Sequence, residues 1–317
     1  MKALHVLEPG PLTTIQDLGR RGLRDLGVPL SGAMDPTALQ IANGLVGNAR
    51  HAAALEITCG GFRAETTSEI LFAVTGADSE VTVNGTVVPA WTTCRAAGGD
   101  ILAVGIARSG LRAYLAVSGG IEVPLVMGSR STYARGGFGG LQGRSLRRGD
   151  VLQVGPANIS ATPFRRAPLD LIPPYGDHPN LRVVMGPQED RITPEGIAVF
   201  LGEVYTVTDR CDRMGILLDG PEITHRCGPD IVSDGTIPGV VQVPGSGRPV
   251  LLGADCQTAG GYVKIAAVIA ADLPLAAQLH PGVRVRFAAI SIFEAREIYL
   301  KREFRLRRFC ESLSPTS

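Results

Sequence analysis

Residues 80–88 read Glu80-Val81-Thr82-Val83-Asn84-Gly85-Thr86-Val87-Val88. Apolar and polar residues alternate on both sides of Asn84-Gly85, the dipeptide that supplies two consecutive positive-φ residues for a type I′ turn. The stretch therefore predicts a β-hairpin. Three other places set a tight turn before a strand: Gly98-Gly99-Asp100 before 101–104, Arg148-Gly149-Asp150 before 151–154, and His280-Pro281-Gly282 before 283–287. Short strands at this spacing, without regular intervening helices, favour antiparallel barrels over a doubly wound parallel sheet.

Helices are few. Asp35 caps one, with Pro36 at its first position, Leu39, Ala42, Leu45 and Val46 as its apolar stripe, and Gly47-Asn48 as its stop. A second is predicted from Thr193 through Pro194 to Leu201, with Ile197, Phe200 and Leu201 facing inward. A third runs from about 291 to 311, where Ile292, Ala295, Ile298 and Tyr299 oppose an arginine-rich solvated face. Prolines crowd at 156, 163, 168, 173, 174 and 179, which marks a junction. The expected organisation is an N-terminal barrel over 1–156, a Pro-rich junction over 157–179, and a C-terminal barrel with a terminal helix over 180–317.

At 317 residues the chain is about twice the length of a typical single domain. Its 31 basic and 30 acidic residues leave a net charge of +1, which argues against an electrostatic grip on nucleic acid or on an anionic membrane. Lys2, Lys264 and Lys301 are its only lysines. None follows a glycine, which excludes the Walker A loop. The six cysteines form no C-x-x-C pair and His225-x-Cys227 is the nearest approach to a metal spacing, so reduced thiols and no metal site are expected. No basic stretch followed by an apolar run stands near the N-terminus, and no span of about 20 apolar residues follows; a cytoplasmic location is the expectation.

Four segments combine glycine with polar groups beyond what turns require. Residues 14–35 hold Asp17-Leu18-Gly19-Arg20-Arg21-Gly22 ahead of the Asp35 cap, where backbone N–H groups and a helix dipole suit an anion. Gly128-Ser129-Arg130-Ser131-Thr132-Tyr133 precedes Gly136-Gly137-Phe138-Gly139-Gly140, followed by Gly143-Arg144, a combination that suits a carboxylate or phosphate, or alternatively a lid or interface loop. The third is Asp212-Arg213-Met214-Gly215, with Ser233-Asp234-Gly235 beyond it. In the fourth, Ala254-Asp255-Cys256-Gln257-Thr258-Ala259-Gly260-Gly261-Tyr262-Val263-Lys264, a strand places Tyr262 and Lys264 on one face and Val263 and Ile265 on the other. A lysine there can fix an anion or, if desolvated, work as an acid or base. No G-x-S-x-G elbow is present, and Cys256 has no identifiable histidine partner for nucleophilic work.

Together with Leu55-Glu56 and Gln242-Val243-Pro244, these segments resemble the KipA-like proteins, also described as allophanate hydrolase subunit 2 or biotin-dependent carboxyltransferase-like proteins, a family that includes the C-type subunit of 5-oxoprolinase. The matching pieces run in order from residue 14 to about 287. The resemblance implies two tandem cyclophilin-like β-barrel domains, mainly β with a few helices. It also implies a partner resembling the B-type subunit of 5-oxoprolinase or allophanate hydrolase subunit 1, an A-type subunit, and ATP-dependent opening of a small anionic cyclic amide by the complex.

On that resemblance Lys264, Asp255, Gln257 and Tyr262 are the candidate catalytic residues. Arg130, Ser131, Tyr133, Arg213, Met214, Gln242, Thr258, Gly260 and Gly261 are the candidate substrate-binding residues. ATP serves the complex, and this chain has no P-loop for it. Two alternatives stay open: a carboxyltransferase acting on urea-like amides, with biotin on a separate carrier, and a non-catalytic antagonist of a histidine-kinase inhibitor. Val263 stands where the family commonly has proline before the lysine, a departure that bears on substrate identity.

Overall fold

The structure, a computed structural model, describes residues 2–157 and 164–313. Pro163 and the rest of 158–163, inside the expected junction, lie outside the described residues. The chain divides into two compact units: Met1–Arg20, Ser31–Pro173 and Glu303–Ser317 form the first, and Arg21–Leu30 with Pro174–Arg302 forms the second.

In the first unit a barrel-like antiparallel sheet runs in the order Leu12–Gln16, Ala54–Thr58, Ile101–Val117, Phe62–Thr66, Ala3–Pro9, Val151–Val154, Ile121–Glu122. The hairpin expected at Asn84-Gly85 joins Ile70–Val83 to Thr86–Val88, with φ of 50° and 79° at its two turn residues. Gly99 and Gly149, each at φ 88°, make the reversals before 101 and 151. Leu4, Ile15, Leu55, Phe62, Phe72 and Leu115 fill the interior. Helix α1 (Pro36–Leu45) is capped as the sequence predicts: the Asp35 carboxylate accepts from the N–H groups of Thr37 and Ala38.

The second unit closes on itself. Asn180–Met185 pairs in parallel with Arg284–Ala289 and antiparallel with Ala259–Val268. Tyr205–Cys211, Gly215–Asp219, Val250–Leu252 and Val240–Val243 complete the ring between those two, and Asp230–Gly235 pairs onto the outside of Ala259–Val268. Helix α2 (Pro194–Gly202) starts at Thr193, whose hydroxyl accepts from Gly196 N–H at 3.0 Å. Its Phe200 stacks on Phe287, with ring centroids 4.6 Å apart, in a core with Leu181, Val263, Ile265 and Val285. A one-turn helix, α3 (Leu273–Ala276), has no counterpart in the predicted set, because four residues around Pro274 show no helical period.

Helix α4 (Ile292–Leu313) occupies the predicted span, and Ser291 and Glu294 form a reciprocal capping box at its start. Its buried positions differ from the expected stripe. Ile292 and Tyr299 are exposed, whereas Leu306, Phe309 and Cys310, near its C-terminal end, join Leu39, Ala42 and Leu45 of α1 in a core cluster. Those three supply the apolar face, and the earlier turns stay solvated. Among the described residues no helix is long and apolar enough to cross a membrane, and no group of three or more histidine, cysteine or acidic residues is placed to hold a metal ion.

Candidate active site

The strand Ala259–Val268 organises the second unit's polar cluster. Val263 and Ile265 point into the barrel core, while Tyr262 and Lys264 alternate with them, as the strand period requires. Tyr262 is exposed and Lys264 is buried. Antiparallel pairing puts Gln242 opposite Lys264 and Asp234 opposite Gly260. A register irregularity between Asp230 and Asp234 accompanies the salt bridge in which Asp234 Oδ2 lies 2.7 Å from Lys264 Nζ. Hydrogen bonding from Lys264, then from Gly235 N–H, holds the Asp234 carboxyl below the usual carboxylate range. The Gln188 side chain accepts from Lys264 N–H at 3.3 Å, and Gly186 brings that turn against the strand so closely that a Cβ would lie 2.1 Å from the Lys264 carbonyl.

Asp255 and Arg213 meet in a two-point pair. Arg213 Nε donates to Asp255 Oδ2 at 2.9 Å and Nη2 donates to Oδ1 at 3.0 Å, with both side chains buried. The backbone repeats the link, Asp255 N–H donating to the Arg213 carbonyl at 2.8 Å, while Asp212 Oδ1 accepts from Met214 N–H at 2.7 Å and shapes the turn. Asp255 is thereby committed to Arg213, so the two act as one neutral, rigid support rather than as a free base and a free anion binder.

Gln257 sits beside them. Its Nε2 donates to Gln242 Oε1 at 3.3 Å, its carbonyl accepts from the Thr236 hydroxyl, and Thr236 N–H donates to the Thr258 carbonyl at 3.0 Å. Arg24, in the segment Arg21–Leu30 of the same unit, donates to the Thr236 carbonyl and hydrogen-bonds Cys256. Burial pushes the Cys256 thiol up, with Arg24 opposing the shift, and keeps it protonated. Gly260 and Gly261 are half-buried and lie against Gln242, Gln257 and Ser233.

Ten of the sequence-predicted residues, Lys264, Asp255, Gln257, Tyr262, Arg213, Met214, Gln242, Thr258, Gly260 and Gly261, thus fall in the second unit. Arg130, Ser131 and Tyr133 belong to the first. There the Asp17 carboxylate accepts from Gly19 N–H at 2.8 Å and from Ser129 Oγ, Ser131 Oγ and Arg130 N–H at 2.6 Å each. Arg130 Nε donates to the Val123 carbonyl at 2.9 Å, and Tyr133 packs edge-on against Phe138. Arg20 is fully buried over the Phe138 ring, 4.9 Å from its centroid, and donates to the Val126 and Ser131 carbonyls. Arg20 therefore fastens loops, and so does the Nε of Arg130, the arginine expected to bind substrate. Gly139, Gly140 and Gly143 approach Ser131, Thr132 and Gly137 of their own chain, which accounts for that glycine run as close packing.

Asp234, Gln188, Thr236 and Arg24 are the members of the cluster absent from the predicted set. Asp234 had a signal, the Ser233-Asp234-Gly235 motif; Gln188 and Arg24 had none, because only the closure of the barrel brings them to the strand.

Lys264, Gln242 and the Arg213–Asp255 pair are thus buried beside the half-buried Gln257, a cluster of amide groups and paired charges. The chain belongs to the family described as carboxyltransferase domain, subdomain A and B, whose family model matches residues 26–289. It is 37% identical over 313 residues to the C-type subunit of 5-oxoprolinase from Escherichia coli (strain K12), covering 98% of this chain and 97% of that one. The same-named subunit of Haemophilus influenzae is 35% identical over 303 residues, with 96% of each chain covered. Among solved structures, the K. lactis urea amidolyase superposes with a TM-score of 0.92 at 32% identity over 99% of this chain, which spans 20% of that much longer protein.

Proposed function

We propose that this chain is the C-type subunit of a 5-oxoprolinase, acting with B-type and A-type partners in the ATP-coupled hydrolysis of the 5-oxoproline lactam to L-glutamate. The observation that carries the reading is the end-to-end match, at 97% and 96% coverage, to relatives of its own length that bear that name. The cluster in the second unit suits a small anionic amide: carboxamide groups for the lactam, and a lysine whose exposed partner carboxylate can yield to a substrate carboxylate.

A lactam amide is a poor electrophile, and ATP hydrolysis to ADP and phosphate supplies the driving force for its opening. The residues here do not fit a triphosphate. Arg213 is committed to Asp255, which leaves Lys264, with its exposed partner Asp234, as a single charge against a triphosphate's several, and no glycine–lysine step exists in the sequence. Nucleotide chemistry therefore belongs to a partner protein in this reading, and this chain's residues bind and orient the amide. Lys264 fixes negative charge, Gln242 and Gln257 contact the amide, and the Arg213–Asp255 pair holds the 254–258 turn in place.

The test is reconstitution with the candidate partner subunits, followed by ATP-dependent glutamate release from 5-oxoproline. Turnover that requires this chain supports the reading, and a folded, complete assembly without it removes the reading. A second reading, carboxyl transfer to an amide nitrogen, draws on the K. lactis likeness. Biotin on a separate carrier would supply the activated carboxyl group, and its ureido ring presents the same kind of carbonyl oxygen to Gln242. Turnover with carboxybiotin and without ATP would favour it.

A further inference from the structure

Gln242 and Gln257 bring their side-chain amides together over a glycine. With Gln257 Nε2 donating to Gln242 Oε1, the Nε2 of Gln242, a residue only 3% exposed, is left without an acceptor among the described residues. Buried amide N–H groups are normally satisfied, so a donor left open here points to an acceptor that arrives from outside. A Cβ on Gly260 would lie 2.7 Å from Gln242 Nε2 and 3.3 Å from Gln257 Nε2. Both amide nitrogens therefore pack against Gly260, with Thr236 Cγ2 3.2 Å from the same point, and a side chain there would displace them. Gly260 is not among the positive-φ glycines, so its backbone does not demand glycine; space does.

The surroundings select the acceptor. The nearby cations are already balanced, Lys264 by Asp234 and Arg213 by Asp255, so what the place offers is a set of neutral N–H donors. Gln242 forms the buried floor, while Gln257 and Gly260 are half-buried and Ala259 is exposed, which sets the two amides just beneath the surface. We infer that Gln242 and Gln257 form a two-donor seat beside Gly260, where a larger residue would displace the donors, for the carbonyl oxygen of a small cyclic amide. This rests on the proposed function only for the identity of the ring, the lactam of 5-oxoproline. Donors fixed on that oxygen grow more effective as it gains negative charge when water adds to the carbonyl carbon.

The experiment is calorimetric titration of the full-length chain with 5-oxoproline, with cyclopentanecarboxylate, which keeps ring and carboxylate but has no lactam, and with 2-imidazolidone, a cyclic urea, against cyclopentane as its carbonyl-free match. The expected result is that 5-oxoproline binds about tenfold more tightly than cyclopentanecarboxylate, and that the preference disappears in Gln242→Glu, which keeps shape but swaps donors for an acceptor. Gly260→Ala should lose the preference as well, and it carries the test if Gln242→Glu does not fold by circular dichroism. A carbonyl preference retained in both variants, or absent in the parent for both rings, overturns the seat. A Gln242-dependent preference seen with the cyclic urea alone upholds the seat while removing 5-oxoproline as its ring, a result separable from failed turnover in the reconstituted complex.

Discussion

Lys264 Nζ lies 2.7 Å from Asp234 Oδ2, yet the lysine side chain is 4% exposed and the aspartate side chain 57%. The ion pair is open at its anionic end and closed at its cationic end. Deleting the two partners therefore has unequal consequences. Asp234→Asn leaves a buried ammonium without its counter-charge, whereas Lys264→Met leaves an aspartate that water can solvate. Urea unfolding should show the larger fall in midpoint for Asp234→Asn, and glutamate release by the reconstituted complex should show the larger fall in kcat/KM for Lys264→Met. The reverse order in both assays would mean that Lys264 is a structural cation only.

The same pair carries a pH dependence. Asp234 is held below the usual carboxylate range by Lys264 first and Gly235 N–H second, so the folded chain binds that proton more weakly than the unfolded chain. Its contribution is present above the unfolded value of about 4 and is lost as pH falls through the lowered folded value. Urea midpoints of the parent and Asp234→Asn, taken from pH 6 down to about 3, should converge at the acid end. A gap that stays constant would assign the destabilisation to something other than this carboxylate.

Arg213 and Asp255 are joined through two side-chain hydrogen bonds and one backbone bond, all buried, between the turn after Tyr205–Cys211 and the turn before Ala259–Val268. Removing one partner of such a pair strands the other, at a cost of about 3–5 kcal/mol. Arg213→Met and Asp255→Leu should each lose stability on that scale, and the double variant should recover much of it because no uncompensated charge remains. Additive losses in chemical denaturation would show that the pair is not a single support.

How far these features were legible in the sequence depended on whether their cause was local. Asn84-Gly85, the Asp35-Pro36 cap and Thr193-Pro194 announce backbone conformations that the residues themselves impose, and each stands where it was expected. The alternation of Tyr262, Val263, Lys264 and Ile265 was equally local, so the strand and its core-facing residues could be read directly, whereas the burial of Lys264 on the other face could not. Gln188, Thr236 and Arg24 could not, since they reach the site through ring closure and through the inclusion of Arg21–Leu30 in the second unit. Arg130 and Ser131 read as ligand groups because arginine and serine beside glycine suit an anion; the structure spends the Arg130 Nε on the Val123 carbonyl and the Ser131 hydroxyl on Asp17. Chemistry-bearing residue types show what a segment can bind, and only the tertiary partner shows whether that capacity is already used.

Asp17 is the clearest instance, and it predicts a stability effect in the first unit. Its carboxylate accepts four hydrogen bonds, two from hydroxyls and two from backbone N–H groups, tying 17–19 to 129–131. Asp17→Ala leaves those donors without their acceptor and should cost about 3 kcal/mol or more by urea denaturation. Arg130→Ala, which removes only the Nε bond to the Val123 carbonyl, should cost about 1 kcal/mol. A loss for Asp17→Ala no larger than that for Arg130→Ala would show that the carboxylate does not fasten these loops.

Cys310 links the terminal helix to α1 and makes an alkaline prediction. Its sulfur lies 3.8 Å from the Gln40 carbonyl, and burial pushes the thiol up to about 11, with Arg50 opposing the shift. An unfolded thiol titrates near 8.5, so the folded chain holds this proton more tightly. Its contribution is fully present below the unfolded value and is lost as pH rises toward the folded one, an effect on the order of 2–3 kcal/mol by pH 11. Urea midpoints measured from pH 8 to about 10.5 should therefore fall more steeply in the parent than in Cys310→Ala. The slope, not the absolute midpoint, is the readout, because the alanine also removes the sulfur's packing beside Gly44. In alkylation at pH 8 the exposed Cys227 should react first and Cys310 only on unfolding. Equal slopes, together with rapid modification of Cys310 in the folded chain, would show that the last turns of α4 open without the rest of the first unit.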